Sequence, residues 1–188
     1  MNCIIVHGAS LYDKKKISKG FPQQNERSWI PWLKRELEES GIKTDNPLMP
    51  KNWLPVYEDW RKEFEKLEVN KNTILIGHSL GATFLVRWLG ETKKKVKKLI
   101  LVAPAKFDDD DNEYYKNFYN FEIDKDIAKN KITIFNSTND WAAIQRAAKL
   151  YHKVLRGKLI ELKERGHFIQ KKPNEKIEFP ELLEEVLG

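Results

Sequence analysis

Apolar positions in this chain fall into short continuous runs, separated by longer stretches in which they recur every three or four residues. The continuous runs are residues 3–6, 42–46, 73–76, 96–102, 131–135 and 158–162. Runs of this length, rich in Ile, Leu and Val, are of strand type, and the run at 42–46 is the weakest of them. Between them the spacing turns helical. Trp29, Ile30, Leu33 and Leu37 share a face and predict a helix over 26–40, stopped by Gly41. Trp60, Phe64 and Leu67 predict a second over 56–67, and further helices are expected over 82–89, 141–150 and 175–187. Strands that alternate with helices predict an α/β fold. The expectation is a mostly parallel sheet of about six strands with helices on both faces, forming one domain over 1–188.

The third run leads into Gly77-His78-Ser79-Leu80-Gly81, and helical spacing resumes at Ala82. Strand, Gly-x-Ser-x-Gly turn and helix are the context of a nucleophile elbow. The turn holds the serine in a strained conformation, and glycines two residues either side avoid side chains that would collide with each other. Ser79 is the candidate nucleophile. The Leu80 amide, at the start of the following helix, is a candidate oxyanion donor.

A serine nucleophile needs a base and an acid that orients the base. Parallel sheets place ligands at the carboxyl ends of their strands. Asp140 follows the fifth run and His167 the sixth, so the chain order is Ser, Asp, His. The other histidines fit the role less well. His78 adjoins the serine and should point away from it, into packing or pocket lining. His152 lies at the end of an exposed helix, and His7 follows the first run, with the oxyanion loop. The rival acids are Asp108 to Asp111, four neighbouring carboxylates that favour solvent. The second oxyanion donor is expected from the loop after the first strand, at Ala9 with Gly8 allowing the approach, and Ser10 is next in line. Trp53, Phe107, Trp141 and Phe168 stand near strand ends and are candidate pocket residues, with core packing the alternative for each. The segment 110–121 mixes acids with aromatics and reads as a cap over the site or as a surface helix.

Composition narrows the reading. The chain has 188 residues, 40% hydrophobic and 33% charged, with a net charge of +6. Such a chain forms a sizeable core. Its basic residues are interleaved with 28 acidic ones, which argues against a nucleic-acid partner. The exception is the lysine-rich loop 13–24, with Lys14, Lys15 and Lys16. Cys3 is the single cysteine and lies inside the first apolar run, so a buried thiol is expected and no Cys/His metal spacing exists. No targeting segment or apolar stretch of membrane-spanning length is evident, which reads as soluble and cytoplasmic.

Ile5-Val6-His7-Gly8, Trp29-Ile30-Pro31-Trp32-Leu33, Asn46-Pro47-Leu48-Met49-Pro50, Gly77-His78-Ser79-Leu80-Gly81-Ala82, Asn139-Asp140 and Gly166-His167-Phe168 occur in that order along the chain. In these motifs it resembles the α/β-hydrolase superfamily, and within it the compact serine hydrolases of the retinoblastoma-binding-protein-nine and YdeN type. The resemblance implies a small hydrolase with Ser79, Asp140 and His167 as its triad. It departs from the family pattern at Trp141-Ala142, where a proline-containing turn is common, and in the longer loop 13–24. The expected activity is hydrolysis of a small-molecule ester or thioester, with no cofactor, metal, nucleic acid or membrane, and the oligomeric state left open. The alternative is an interaction module that keeps the fold and binds a partner through the basic loop or exposed aromatics.

Overall fold

The computed structural model describes residues 1–10, 23–107, 113–172 and 175–188. Lys14 to Lys16, the rest of the loop up to residue 22 and the acidic run 108–111 lie outside the described residues. Six strands build one sheet: β1 (Asn2–Val6), β2 (Lys43–Asp45), β3 (Thr73–His78), β4 (Lys98–Val102), β5 (Lys131–Ser137) and β6 (Lys158–Leu162). Their spatial order is β2-β1-β3-β4-β5-β6, and every neighbouring pair is parallel. The strand order reverses between β1 and β3, which opens the ligand-binding crevice of such sheets. Every residue of β3 and β4 is buried. A strand covered on both faces has no need to alternate, hence the continuous apolar runs.

The helices are α1 (Ile30–Glu39), α2 (Tyr57–Phe64), α3 (Leu80–Thr92), α4 (Glu113–Tyr119), α5 (Ala142–Leu155) and α6 (Pro180–Leu187). Two begin later than their periodicity predicts. The helix expected from residue 26 starts at Ile30, because Pro31 fits only the first turn of a helix. Residues Gln24–Glu26 instead form a 3-10 turn. Pro180 delays α6 in the same way. In the other direction, α5 runs beyond residue 150, with Tyr151 and Leu155 still on its buried face. It ends where His152 Nδ1 meets the Gly157 carbonyl at 2.8 Å.

Two aromatic layers fill the core. Tyr57, Trp60 and Phe64 of α2 meet Phe84 of α3 and Phe118 of α4 at largely edge-to-face angles. A second layer joins Trp29, Phe135, Phe168 and Phe179. Lys98, buried at the start of β4, pairs with Glu185 at 3.1 Å and anchors α6 to the sheet. Cys3 is fully buried, and burial pushes its thiol pKa up, which leaves it unreactive. Among the described residues no helix is long and apolar enough to cross a membrane.

Candidate active site

The sharp turn after β3 is visible in its backbone. Ser79 sits at φ 52° and ψ −118°, outside the regions a non-glycine residue occupies at ease. Such strain costs on the order of 1–3 kcal/mol and persists only where the surroundings over-determine it. Here the Ser79 amide donates to the Val102 carbonyl at 2.9 Å, and its own carbonyl accepts from Ala82 at 3.1 Å and Ala105 at 3.3 Å.

The glycines around the turn have separate reasons. A Cβ on Gly77 would lie 2.5 Å from Ala82 Cα and 2.6 Å from its nitrogen, the self-collision the motif predicts. A Cβ on Gly81 would strike the end of β1, 2.5 Å from the His7 carbonyl and closer still to that of Val6. Gly81 therefore serves the approach of the first strand, a contact absent from the local motif. Gly8 is the third such position, since its Cβ would come within 2.9 Å of Ser79 Cβ.

Ser79, His167 and Asp140 are within hydrogen-bonding distance of one another in sequence. His167 Nε2 lies 3.0 Å from Ser79 Oγ. Its Nδ1 lies 2.9 Å and 3.2 Å from the two oxygens of Asp140. Facing a carboxylate, Nδ1 holds the ring proton and leaves Nε2 free to accept from the serine hydroxyl. Asp140 Oδ1 also accepts from the Trp141 amide at 2.7 Å. Its carboxylate is almost wholly withdrawn from solvent.

The loops carrying acid and base are tied together. Asn139 Oδ1 accepts from the Gly166 amide at 2.7 Å and from Ser137 Oγ at 2.9 Å. Ser137 Oγ in turn accepts from the Arg165 amide at 3.0 Å. The turn ahead of Phe168, at φ 55°, directs His167 to the serine and Phe168 to the core.

The two remaining site histidines are structural neighbours of this arrangement. His78 lines the cavity, and its Nε2 meets the His167 carbonyl at 2.9 Å. Burial, aided by the nearby His167, pushes its pKa down to about 3, so the neutral ring donates through Nε2. His7 Nε2 accepts from the Met49 amide at 2.9 Å, which puts its proton on Nδ1, 2.7 Å from the Gly8 carbonyl. Burial pushes its pKa down to about 4. His7 thereby fixes the carbonyl of the glycine that abuts Ser79. The bond from His78 to His167 joins positions far apart in the chain, and no local signal announces it.

The first turn of a helix leaves its amides without helical partners, and Leu80 opens α3. Among the described residues the amides of Leu80 and Ala9 have no acceptor, whereas that of Ser10 donates to the Asn52 carbonyl at 2.9 Å. This engages the next-in-line donor. Among the described residues no group of three or more His, Cys, Asp and Glu side chains is placed to hold a metal ion.

A cavity of about 290 Å³ opens in front of Ser79. Of the four aromatics expected to line it, Phe107 and Trp141 do so. Trp141 is 59% exposed, and its ring stacks on His167 with centroids 4.8 Å apart. Phe168 does not line the cavity. It is buried and stacks on Phe179 at 5.0 Å, the core alternative for this residue. Trp53 is also outside the lining and is half-exposed. Its segment turns the Asn52 carbonyl inward, onto the Ser10 amide, and the indole outward. Tyr115 and Tyr119, spaced i, i+4 on α4, line the cavity while Phe118 enters the core. Within the segment 110–121 expected as cap or surface helix, α4 walls the cavity and packs on α2. Arg27 and Ser28 also line it, although the periodicity puts both inside a helix over 26–40, and Gln24 lines it from the end of the loop 13–24.

The chain is similar to known proteins in sequence and in fold. The Bacillus subtilis protein named putative hydrolase YdeN is 32% identical over 91 residues, which is 46% of this chain and 48% of that protein. The matched stretch therefore spans about half the length of that curated relative. The crystal structure of the B. subtilis ydeN gene product superposes with a TM-score of 0.82 at 21% identity, covering 99% of this chain and 96% of that one. Est1E from Butyrivibrio proteoclasticus, solved with ferulic acid bound, gives 0.63 at 14% identity over 99% and 86% of the two chains. At these identities the structural likeness is one of fold, the α/β-hydrolase fold. The family model for serine hydrolases matches residues 16–181, and the chain belongs to that family.

Proposed function

We propose that the protein hydrolyses an ester-type bond, a carboxylic ester or thioester, of a small molecule through an acyl-enzyme on Ser79. The observation that carries this reading is the unbroken series of contacts from Asp140 through His167 to Ser79 Oγ. As Oγ bonds to the substrate carbonyl carbon, its proton passes to His167 Nε2. The carbonyl electrons move to oxygen, where the Ala9 and Leu80 amides stabilise the developing charge. Each such donor is worth on the order of 10²–10³ in turnover. Collapse expels the leaving group, which takes the proton from Nε2. Water then repeats the sequence on the acyl-enzyme, with His167 again as base, and releases the acid and free Ser79. Asp140 holds the Nδ1 proton and stabilises the imidazolium formed in each half.

A fluorophosphonate probe tests the nucleophile. The parent protein is expected to be labelled and Ser79→Ala to remain unlabelled. An unlabelled parent, or a variant labelled equally, refutes the assignment and favours the interaction-module reading. 4-Nitrophenyl esters of rising acyl length then measure the pocket. A cavity of about 290 Å³ should favour short to medium chains.

A further inference from the structure

Two aromatic rings neighbour the imidazole of His167. The Trp141 indole stacks on it, with centroids 4.8 Å apart and planes inclined by 29°. The His78 ring stands 5.0 Å away at a tilt of 46°. Exposure is divided unequally within the stack: the His167 side chain is 9% exposed, whereas Trp141 is 59% exposed. An indole left this open gains little from burial, so core packing does not account for its place. The ring it meets is the candidate base.

The backbone beneath the indole is held to the acid. The Trp141 amide donates to Asp140 Oδ1 at 2.7 Å, and Gln145 Nε2 donates to the Asp140 carbonyl at 2.8 Å. As α5 begins, the Gln145 amide donates to the Trp141 carbonyl at 3.1 Å. One turn therefore carries both groups to the imidazole. Asp140 reaches its Nδ1 edge, and Trp141 lies over its face.

His167 must take up a proton as Ser79 attacks and again as water attacks, so its surroundings decide how readily it holds that charge. Asp140 supplies a carboxylate at Nδ1 and Ser79 a hydroxyl at Nε2. Burial keeps His78, at the end of β3, neutral, with its pKa pushed down to about 3. Arg27, before α1, and Tyr115 and Tyr119 of α4 are the other titratable side chains among the described lining residues. Arg165, on the loop of the base itself, pairs with Glu181 at 2.6 Å. The indole adds a further contribution. Its face is the negative side of the ring quadrupole, and tryptophan is the strongest aromatic partner for a cation within about 6 Å. This attraction grows as the imidazole charges, so it favours the transition state over the resting site.

We propose that Trp141 is a positioning residue for this reaction, its indole face stabilising the imidazolium of His167 while Asp140 holds the ring edge. The inference rests on the hydrolase reading of the same site and adds the group that favours the charged base.

The test compares Trp141→Leu, which keeps an apolar cover without a π face, with Trp141→Phe, which keeps a smaller π face. Because Trp141 is exposed, both variants should fold, with the melting temperature as a check. On 4-nitrophenyl butyrate, Trp141→Leu should lower kcat about two- to tenfold. The acid limb of its kcat/KM profile should move to lower pH by about 0.3–1 pH unit, the same factor read as a midpoint. Trp141→Phe should recover part of both. A role confined to shaping the cavity would raise KM and leave the acid limb in place. A role as a shield from water would move the limb to higher pH, since solvent favours the charged ring. Either result, or a Phe variant no better than the Leu variant, overturns the proposal. NMR titration of the His167 ring in the parent and both variants reads the same midpoint without turnover. A downward shift there upholds the role of Trp141 even if fluorophosphonate labelling of Ser79 fails. Labelling with an unmoved midpoint sinks the role of Trp141 alone.

Discussion

Replacing Asp140 by Asn exchanges one oxygen for an NH₂ group and changes little volume, yet it should remove nearly all turnover, for a reason fixed by the Trp141 amide. That N–H lies 2.7 Å from Oδ1, so it demands an acceptor there. An asparagine meeting this demand places its carbonyl oxygen at the Oδ1 position and its NH₂ at the Oδ2 position, 2.9 Å from His167 Nδ1. Nδ1 must then accept, which moves the ring proton to Nε2, the nitrogen 3.0 Å from Ser79 Oγ. A protonated Nε2 has no lone pair for the serine proton. Flipping the amide restores the tautomer but opposes NH₂ to the Trp141 N–H. A buried donor left unsatisfied costs about 1–3 kcal/mol. Loss of the carboxylate that stabilises the imidazolium adds a further penalty of about 2 kcal/mol, the strength of a hydrogen bond to a charged group. Together these give about 3–5 kcal/mol, or on the order of 10²–10⁴ in kcat at 1.36 kcal/mol per tenfold. The assay is kcat on 4-nitrophenyl butyrate, with the melting temperature as a check on folding and imidazole ¹⁵N shifts to report the tautomer. A folded variant that keeps more than a tenth of the parental kcat, or whose His167 still carries its proton on Nδ1, would refute the reasoning. In the first case the acid would lie elsewhere, with the run 108–111 the next place to look.

Two further perturbations follow from the same geometry. Gly8→Ala puts a methyl group 2.9 Å from Ser79 Cβ and 3.2 Å from the His78 carbonyl, so the nucleophile or the β1 loop must move. Fluorophosphonate labelling should slow at least about tenfold, and stability should fall by about 1–3 kcal/mol, the usual cost of overpacking; labelling at the parental rate would show that the loop yields freely. His7 and His78 are held neutral in the fold, with pKa values lowered to about 4 and about 3, while in the unfolded chain they titrate near 6.5. The unfolded state therefore binds more protons between these limits, so their contribution to stability is intact above about pH 6.5 and declines on acidification. At pH 5 the loss is about 2 kcal/mol for each histidine, and chemical denaturation of the parent against a His7→Gln, His78→Gln double variant should show a flatter acid limb in the variant.

The sheet is readable from sequence because parallel strands covered on both faces advertise themselves as unbroken apolar runs, as residues 73–76 and 131–135 do. Both strands run two residues further than those runs, through Gly77-His78 and Asn136-Ser137, where buried polar residues break the apolar signal. Helix onsets were legible only once proline was weighed above periodicity, at Pro31 and Pro180. The placement of Ser79, Asp140 and His167 after the third, fifth and sixth strands was also available from the sequence. What surrounds them was not. Phe168 sits at φ 55° with its ring in the core, and Trp53 lies outside the cavity lining, next to the Asn52 carbonyl that accepts from Ser10. Gly81 looks like a local necessity of the elbow until the end of β1 is placed against it. Arg27 reaches the cavity only because the chain before Pro31 is not helical. Each of these outcomes is decided by contact between segments distant in sequence, a quantity that periodicity does not encode.

The network of Ser137, Asn139, Arg165 and Gly166 has a mechanical meaning. It bolts the two loops into a single bracket, so the carboxylate and the imidazole ride together when the sheet breathes. The nucleophile turn is tied to this bracket separately, by the bond from His78 to the His167 carbonyl and across the 3.0 Å gap between imidazole and hydroxyl. That gap is where a reaction needs play, since the serine oxygen must swing from its resting partner toward the incoming carbon. The hold of the acid on the base thus rests on the first residues after β6, Arg165 to His167, rather than on the rest of the chain leading to α6.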